Sequence, residues 1–68
     1  MAFKRKRLVR VHQTDGPTLE GILLQRRPDY RLAAPKLIEA EDVTLPLDGE
    51  VEIPRERVVF VQLLAQAG

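Results

Sequence analysis

Five basic residues and no acidic residue lie within the first 14 positions of this 68-residue chain. Lysine and arginine side chains at this density can bind phosphates or carboxylates, because both anions accept charge-assisted hydrogen bonds. This segment therefore has two possible partners, a nucleic-acid backbone or the acidic surface of another protein chain. The residues that we expect to bind the partner are Lys4, Arg5, Lys6, Arg7 and Arg10.

The acidic residues lie in the rest of the chain, where ten aspartates and glutamates outnumber six lysines and arginines. The first 14 residues carry a charge of +5 and the remainder −4, and this polarity favours a partner that binds one end of the molecule. The acidic residues lack the spacing and turn glycine of a calcium loop, so we predict a solvated rim and no metal site. The residues that could bind the basic arm of a neighbouring copy are Glu39, Glu41, Asp42, Glu50 and Glu52.

Candidate catalytic residues are few, since the chain has one histidine, His12, and no cysteine. No Ser-His-Asp or Cys-His set can be proposed, one histidine alone cannot hold zinc, and the four glycines form no phosphate loop. We therefore predict neither an enzyme nor a cofactor, a metal or a small-molecule substrate. No apolar stretch approaches the roughly 20 residues of a membrane span, which predicts a protein that is intracellular on synthesis and binds no membrane.

The elements that must position these residues are strands, because apolar and polar side chains alternate along most of the chain. Val9 and Val11, for example, share one face of a strand, and Arg10 and His12 share the other. No segment keeps a helical stripe for more than about ten residues, which disfavours an α-class fold. The predicted strands cover approximately residues 8–14, 18–27, 30–41, 43–47, 50–53 and 58–64.

Glycines and prolines mark where these strands turn or end. Asp15-Gly16 and Asp48-Gly49 are hairpin signals, because both residue types tolerate positive φ. Pro35 and Pro46 lack an N–H donor, so each indicates an edge strand or a break. Gly21 within the second strand either permits a bulge, bend or close backbone approach, or is a tolerated weak spot, and we expect a bend.

The chain is long enough for one domain, and a domain of this size buries only about 60% of its unfolded surface. We predict a basic arm (residues 1–7), a small five-stranded antiparallel β-barrel (8–64) and a tail (65–68), stabilised by oligomerisation or a partner. Tyr30 and Phe60 are expected to be buried, although Tyr30 could instead stack on a nucleic-acid base. The predicted core consists of Val9, Val11, Leu19, Leu23, Leu32, Leu37, Val51, Ile53, Val58, Phe60 and Leu63.

Several short motifs resemble the Sm-like and SH3-like small barrels. They are Leu19-Glu20-Gly21, the Asp48-Gly49 hairpin, the short turn at 53–57 and the closing strand at 58–62, preceded by a first strand and turn at 9–16. The resemblance implies the barrel fold and, for Sm-like proteins, ring assembly through edge strands. The RNA pocket of Sm-like proteins is not implied, because the chain has no asparagine and carries Asp48 where that family has an arginine.

The chain also resembles short virion proteins of tailed phages that infect actinobacteria. The shared features are the N-terminal basic cluster, Val-His-Gln-Thr-Asp at 11–15, and Val-Glu-Ile-Pro at 51–54 before Val-Phe-Val-Gln at 59–62. This resemblance implies a structural role in the capsid or at the head–tail junction. The sequence therefore predicts a non-enzymatic assembly protein that binds other protein chains. The alternative is a small nucleic-acid-binding barrel that uses the basic arm and Tyr30.

Overall fold

The computed structural model describes residues 7–64, and this part of the chain is all-β, as predicted. No helix among these residues is long and apolar enough to cross a membrane. The elements are strands β1 (Leu8–Gln13), β2 (Thr18–Gln25), β3 (Tyr30–Ala40), β4 (Val43–Pro46), β5 (Glu50–Ile53) and β6 (Val58–Leu63), with a 3₁₀ turn at Arg55–Arg57 between β5 and β6.

The strands form one antiparallel sheet in the order β4-β3-β2-β1-β6, and β5 pairs with β3. Strand β3 is the longest, and two strands share its outer edge. Strand β5 pairs with its first half, Tyr30 to Ala33, and β4 pairs with its second half, Lys36 to Ala40. The sheet of residues 7–64 is not closed: β6 lies at one end, and β4 lies at the other end in line with β5.

Besides being open where a barrel was predicted, the sheet differs from the prediction in two respects. The six strands lie in the six predicted segments, but a five-stranded barrel was predicted; the sixth strand arises because β4 and β5 pair separately with one continuous β3. Pro35 is buried at an irregularity of the β2–β3 ladder, which is a position where proline removes no regular hydrogen bond. The prediction of a β-hairpin at Asp48-Gly49 is wrong, because the two flanking strands lie one after the other along β3.

A small apolar core lies on one face of the sheet. Val9, Val11, Leu19, Leu32 and Ile53 are buried, as predicted. Around them lie partly buried side chains, of which all but Tyr30 and Val61 were on the predicted core list: Leu23, Tyr30, Leu37, Val51, Val58 and Val61.

Phe60 and Leu63 are corrections to the predicted core, because they are 53% and 57% exposed. A register shift explains Phe60: Gln13 pairs with Val58, whereas its neighbour His12 pairs with Phe60. One extra residue of β6 is therefore inserted, and the alternation of inward and outward side chains changes phase. As a result, Phe60 lies on the outer face, while Val61 packs against the core. Leu63 lies at the open end of the sheet, where no described element covers it.

Gly21 is a site of close backbone approach, and the bulge beside it lies in β3 and not in the second strand, where a bend was expected. Glu20 pairs with Lys36 and Ile22 with Ala33, so two residues of β3 lie opposite this one glycine. The backbone of β3 reaches this position with Ala34 at a φ of 48°, in the left-handed region. The bulge bends β3 across the sheet, which lets it pair with both β4 and β5.

Candidate interaction surfaces

The first surface is the outer face of β1, on which Arg10 lies between Glu20 of β2 and Gln62 of β6. The Nη2 and Nε atoms of Arg10 donate to Glu20 Oε1 at 2.7 and 3.2 Å. The Arg10 side chain is 35% exposed and that of Glu20 only 15% exposed. Arg10, predicted to bind a partner, therefore has an acidic partner within its own sheet.

His12 and Phe60 form a stacked pair on the same outer face. Their ring centroids are 4.2 Å apart, with an interplanar angle of 25°. His12 Nε2 lies 3.2 Å from Gln62 Oε1, to which it donates when the ring proton is on Nε2. The outer face of β1 and β6 thus presents an aromatic pair beside an amide, a surface that can pack against apolar side chains or stack on a planar group.

The two end strands carry most of the exposed apolar side chains. Within residues 7–64, seven large apolar residues are exposed and only five are buried. Six of the seven lie on or directly beside β4 and β6, and Leu24 at the end of β2 is the exception. Sequence reasoning missed this grouping, because it depends on which strands end the sheet. The six are Val43, Leu45, Leu47, Val59, Phe60 and Leu63.

The free backbone edge of β6 can be assigned from its ladder with β1. The Leu64 N–H donates to the Leu8 carbonyl at 2.9 Å, and hydrogen-bonded positions alternate along an antiparallel strand. Phe60, Gln62 and Leu64 therefore direct their peptide groups toward β1. Val61 and Leu63 direct theirs away from it, toward the open edge.

The edge of β4 is different. The Leu47 N–H donates to the Pro35 carbonyl at 2.9 Å, so by the same alternation Thr44 and Pro46 face outward. Pro46 has no N–H group. Within Thr44–Pro46 the open edge of β4 therefore offers a single N–H donor, which weakens it as a template for another strand.

The predicted basic arm lies mostly outside the described residues, since Lys4, Arg5 and Lys6 precede position 7. Arg7 is exposed, and its carbonyl oxygen accepts a hydrogen bond from the Leu23 N–H at 2.9 Å. Its backbone is therefore hydrogen-bonded to β2, directly before the first residue of β1. Its side chain remains available for an anion.

The predicted acidic residues are all exposed, but they form two groups. Glu50 and Glu52 lie on β5, 4.0 and 3.8 Å from Arg31, in exposed pairs that contribute little stability. Glu39, Glu41 and Asp42 lie around the other end of β3. The two groups are separated along β3 by a distance on the order of 20 Å. A single basic arm would therefore have to choose between them or lie along β3.

Arg55 forms a cluster that sequence reasoning missed. Its backbone N–H donates to Asp29 Oδ1 at 3.1 Å, and its Nη1 donates to the Arg26 carbonyl at 3.0 Å. The guanidinium also lies 5.5 Å from the centroid of the Tyr30 ring, within cation–π range. Tyr30 is half-buried and Arg55 lies over one face of its ring, so a base would compete with Arg55 for that face. No sequence signal links positions that are 26 residues apart.

A small concave site lies at the open end of β1 and β6. Arg7, Leu8, Leu63 and Leu64 line a groove of about 220 Å³. This volume is below the roughly 300–1,000 Å³ typical of small-molecule sites. Among residues 7–64, no three potential metal ligands lie together and no charged or polar residue is buried.

Comparisons with known proteins give no match. No protein-family model matches the chain. Neither a curated protein nor a solved structure is significantly similar to it. Function must therefore be inferred from the surfaces of the chain itself.

Proposed function

We propose that this chain is a non-enzymatic structural protein that binds other protein chains through the end strands of its sheet. The observation that supports this function is the exposure of six large apolar side chains on or beside β4 and β6. Single exposed apolar residues are normal on protein surfaces, whereas grouped ones indicate interaction sites. Full burial of one Val, Leu or Phe side chain contributes about 1.5–3 kcal/mol, so a partner that covers half-exposed ones gains substantially.

The small core supports the same function. Besides Pro35, only five apolar side chains are buried in the described residues, and no disulfide can add stability because the chain has no cysteine. A partner that binds only the folded chain shifts the unfolding equilibrium toward the folded state. Assembly would therefore supply stability that the isolated domain lacks.

The proposal includes the SH3-like or Sm-like barrel predicted from the sequence. Strands β5, β3, β2, β1 and β6 are neighbours, in that order, within the sheet. The first and last of these strands are joined by only the short 3₁₀ turn at Arg55–Arg57. A strip of strands whose two ends are held by one turn must curl, which is the arrangement that a five-stranded small barrel requires. Strand β4 then extends the rim as a sixth, shorter strand.

The proposed setting is the virion of a tailed phage, in the capsid or at the head–tail junction. This part of the proposal is supported by the sequence resemblance at 11–15, 51–54 and 59–62. A structural role in a virion also agrees with the exposed apolar side chains on and beside β4 and β6 and with the opposite charges of the first 14 residues and the rest of the chain.

The test is incorporation into particles assembled from the proteins that the neighbouring genes encode. We expect the unmodified chain to sediment with these particles. Two single variants, Leu45→Lys and Leu63→Lys, each place a charge on one of the strands β4 and β6. We expect at least one of them to lose incorporation while its melting temperature stays unchanged. Incorporation of both variants at normal levels would contradict binding through the end strands.

A nucleic-acid-binding barrel is the second candidate, and the exposed His12–Phe60 pair favours it, because aromatic faces near basic residues can bind single strands. Tyr30 is a weaker candidate for stacking than predicted, since Arg55 lies over its ring. Titration of the chain with a labelled oligonucleotide at several salt concentrations separates the two functions. Affinity that falls steeply with salt, together with no binding to particles, would support this second function.

A further inference from the structure

Strand β6 differs from every other strand of the sheet, because Val58–Leu63 contains no charged residue and no proline. Natural edge strands are usually protected by charges, prolines, bulges or short length. The bulge near Val59 protects only the beginning of this strand. The remainder, from Phe60 onward, has a regular ladder with β1 on one side, and within residues 7–64 no strand pairs with its other edge.

We propose that this open edge pairs antiparallel with the same edge of a second copy, with Gln62 of one chain opposite Gln62 of the other. The inference deepens the proposed function and rests on it, since it names a second copy as one of the chains that the end strands bind. The contact is isologous, which means that both chains use the same edge, so it joins two chains and cannot continue to a third through β6. The other end of each sheet, at β4, remains free for a different partner.

The register follows from the outward peptide groups. Val61 and Leu63 are the residues of the regular ladder that direct N–H and C=O groups to the open edge. When the two edges pair antiparallel, Val61 of each chain lies opposite Leu63 of the other. Each of these two residue pairs exchanges two backbone hydrogen bonds, which gives four in total. This register places Gln62 on the two-fold axis, in a close pair that is not hydrogen-bonded through the backbone.

The side chains match themselves in this register. Phe60 of one chain lies across from Leu64 of the other, an aromatic–aliphatic pair of the kind that stabilises sheets. The two Gln62 amides meet at the axis, where each can donate to and accept from the other. No like charges face each other, because residues 58–64 are uncharged. A head-to-tail contact between β6 and β4 would instead meet Pro46, which has no N–H to donate.

The size of the contact sets its strength. Five residues of each chain form the ladder, so the buried area falls below the roughly 1,200–2,000 Å² of a stable interface. The isolated dimer is therefore weak and concentration-dependent. In an assembly that holds many copies close together, the effective concentration raises its occupancy.

A cysteine-free chain allows a direct test by disulfide trapping. The non-hydrogen-bonded pair at the axis brings two Cα atoms to about 4.5 Å, within the range that a disulfide spans. We expect Gln62→Cys to form covalent dimers at least ~10-fold faster than Thr44→Cys, an exposed control at the open edge of β4. Equal rates for the two variants would overturn the proposal.

Amide hydrogen exchange tests the unmodified chain. We expect the Val61 and Leu63 amides to exchange at least ~5-fold more slowly in concentrated than in dilute protein. The Thr44 amide should exchange at the same rate at both concentrations. Protection of Thr44 together with Val61 would indicate head-to-tail pairing, and unchanged exchange of Val61 and Leu63 up to ~1 mM protein would show that this edge does not self-associate. Either result would overturn the proposal.

The two proposals fail separately. Trapping and exchange use the purified chain alone, whereas the proposed function is tested by incorporation into particles. A monomeric chain that still enters particles would overturn the symmetric contact and leave the proposed function intact. A chain that dimerises through Gln62 but never enters an assembly would contradict the proposed function alone.

Discussion

The carbonyl oxygen of Ala33 lies 2.9 Å from the position that a β-carbon on Gly21 would occupy. The Leu32 β-carbon and the Pro35 α-carbon lie within 3.1 and 3.3 Å of the same position. Two of these three atoms belong to the backbone, which cannot rotate away as a side chain can. The β2–β3 ladder therefore requires glycine at this position.

We predict that Gly21→Ala lowers the free energy of unfolding by about 2–3 kcal/mol, because the new methyl group overpacks the bulge. Urea unfolding measures this change. Gly49→Ala is the control: no heavy atom lies within 4 Å of its β-carbon position, and only its φ of 74° opposes the substitution. We expect that control to cost about 1 kcal/mol. A Gly21→Ala variant as stable as the original chain would contradict the close approach of β3.

Position 34, where the chain has alanine, should accept glycine with little or no loss of stability. Its φ of 48° is left-handed, a conformation that costs an alanine about 1 kcal/mol and a glycine almost nothing. We predict that Ala34→Gly changes the free energy of unfolding by between 0 and about +1 kcal/mol, since the relief of strain offsets the greater freedom of the unfolded chain. The neighbouring Ala33→Gly variant, in the regular ladder, should instead lose about 0.5–1 kcal/mol. Equal losses at both positions would contradict the left-handed bulge.

The Arg10–Glu20 pair should contribute more than the ion pairs of Arg31. The Glu20 side chain is 15% exposed, whereas that of Glu52 is 54% exposed and lies 3.8 Å from Arg31. We expect Glu20→Gln to lower the free energy of unfolding by about 1 kcal/mol, and Glu52→Gln by less than about 0.3 kcal/mol. Thermal unfolding at low and high salt measures both. Equal effects would show that the Arg10–Glu20 pair is as well screened by solvent as a surface pair.

Deletion of residues 2–6 tests the basic arm without removing Arg7, whose carbonyl bonds to Leu23. We predict an unchanged thermal melt and the loss of stable incorporation into particles, because Lys4, Arg5 and Lys6 supply charge-assisted contacts to a partner. Replacement of the three by serine is the matched control for length. Normal incorporation of both variants would show that binding depends on the sheet alone.

Much of the core follows from the sequence, because alternation identifies the inward face of each regular strand. Val9 and Val11 in β1 and Leu32 in β3 are buried as the pattern predicts. The pattern fails in β6, where four of the first five residues are apolar and alternation gives no unique phase. The phase there is set by a bulge opposite Gln13, which is a property of the pairing with β1 and not of β6 itself.

The interaction surfaces were less predictable than the core. Charged residues can be counted in a sequence, but their partners cannot: Arg10 pairs with Glu20, and Arg55 contacts Asp29 across 26 positions. The exposure of Leu45 and Leu63 likewise depends on which strands end the sheet. That order is decided by long-range pairing, which local composition does not encode.

The separate attachment of β4 and β5 to β3 makes the segment at 47–49 a permissive insertion point. In a hairpin, the turn fixes the register of both strands, so added residues disturb the pairing. Here each strand takes its register from β3, at Leu37–Leu45 and at Leu32–Val51. Each doubling of a flexible connection costs only about 0.6 kcal/mol of closure entropy. An epitope or fluorophore could thus be displayed between Leu47 and Gly49, where no heavy atom lies within 4 Å of the Gly49 β-carbon position.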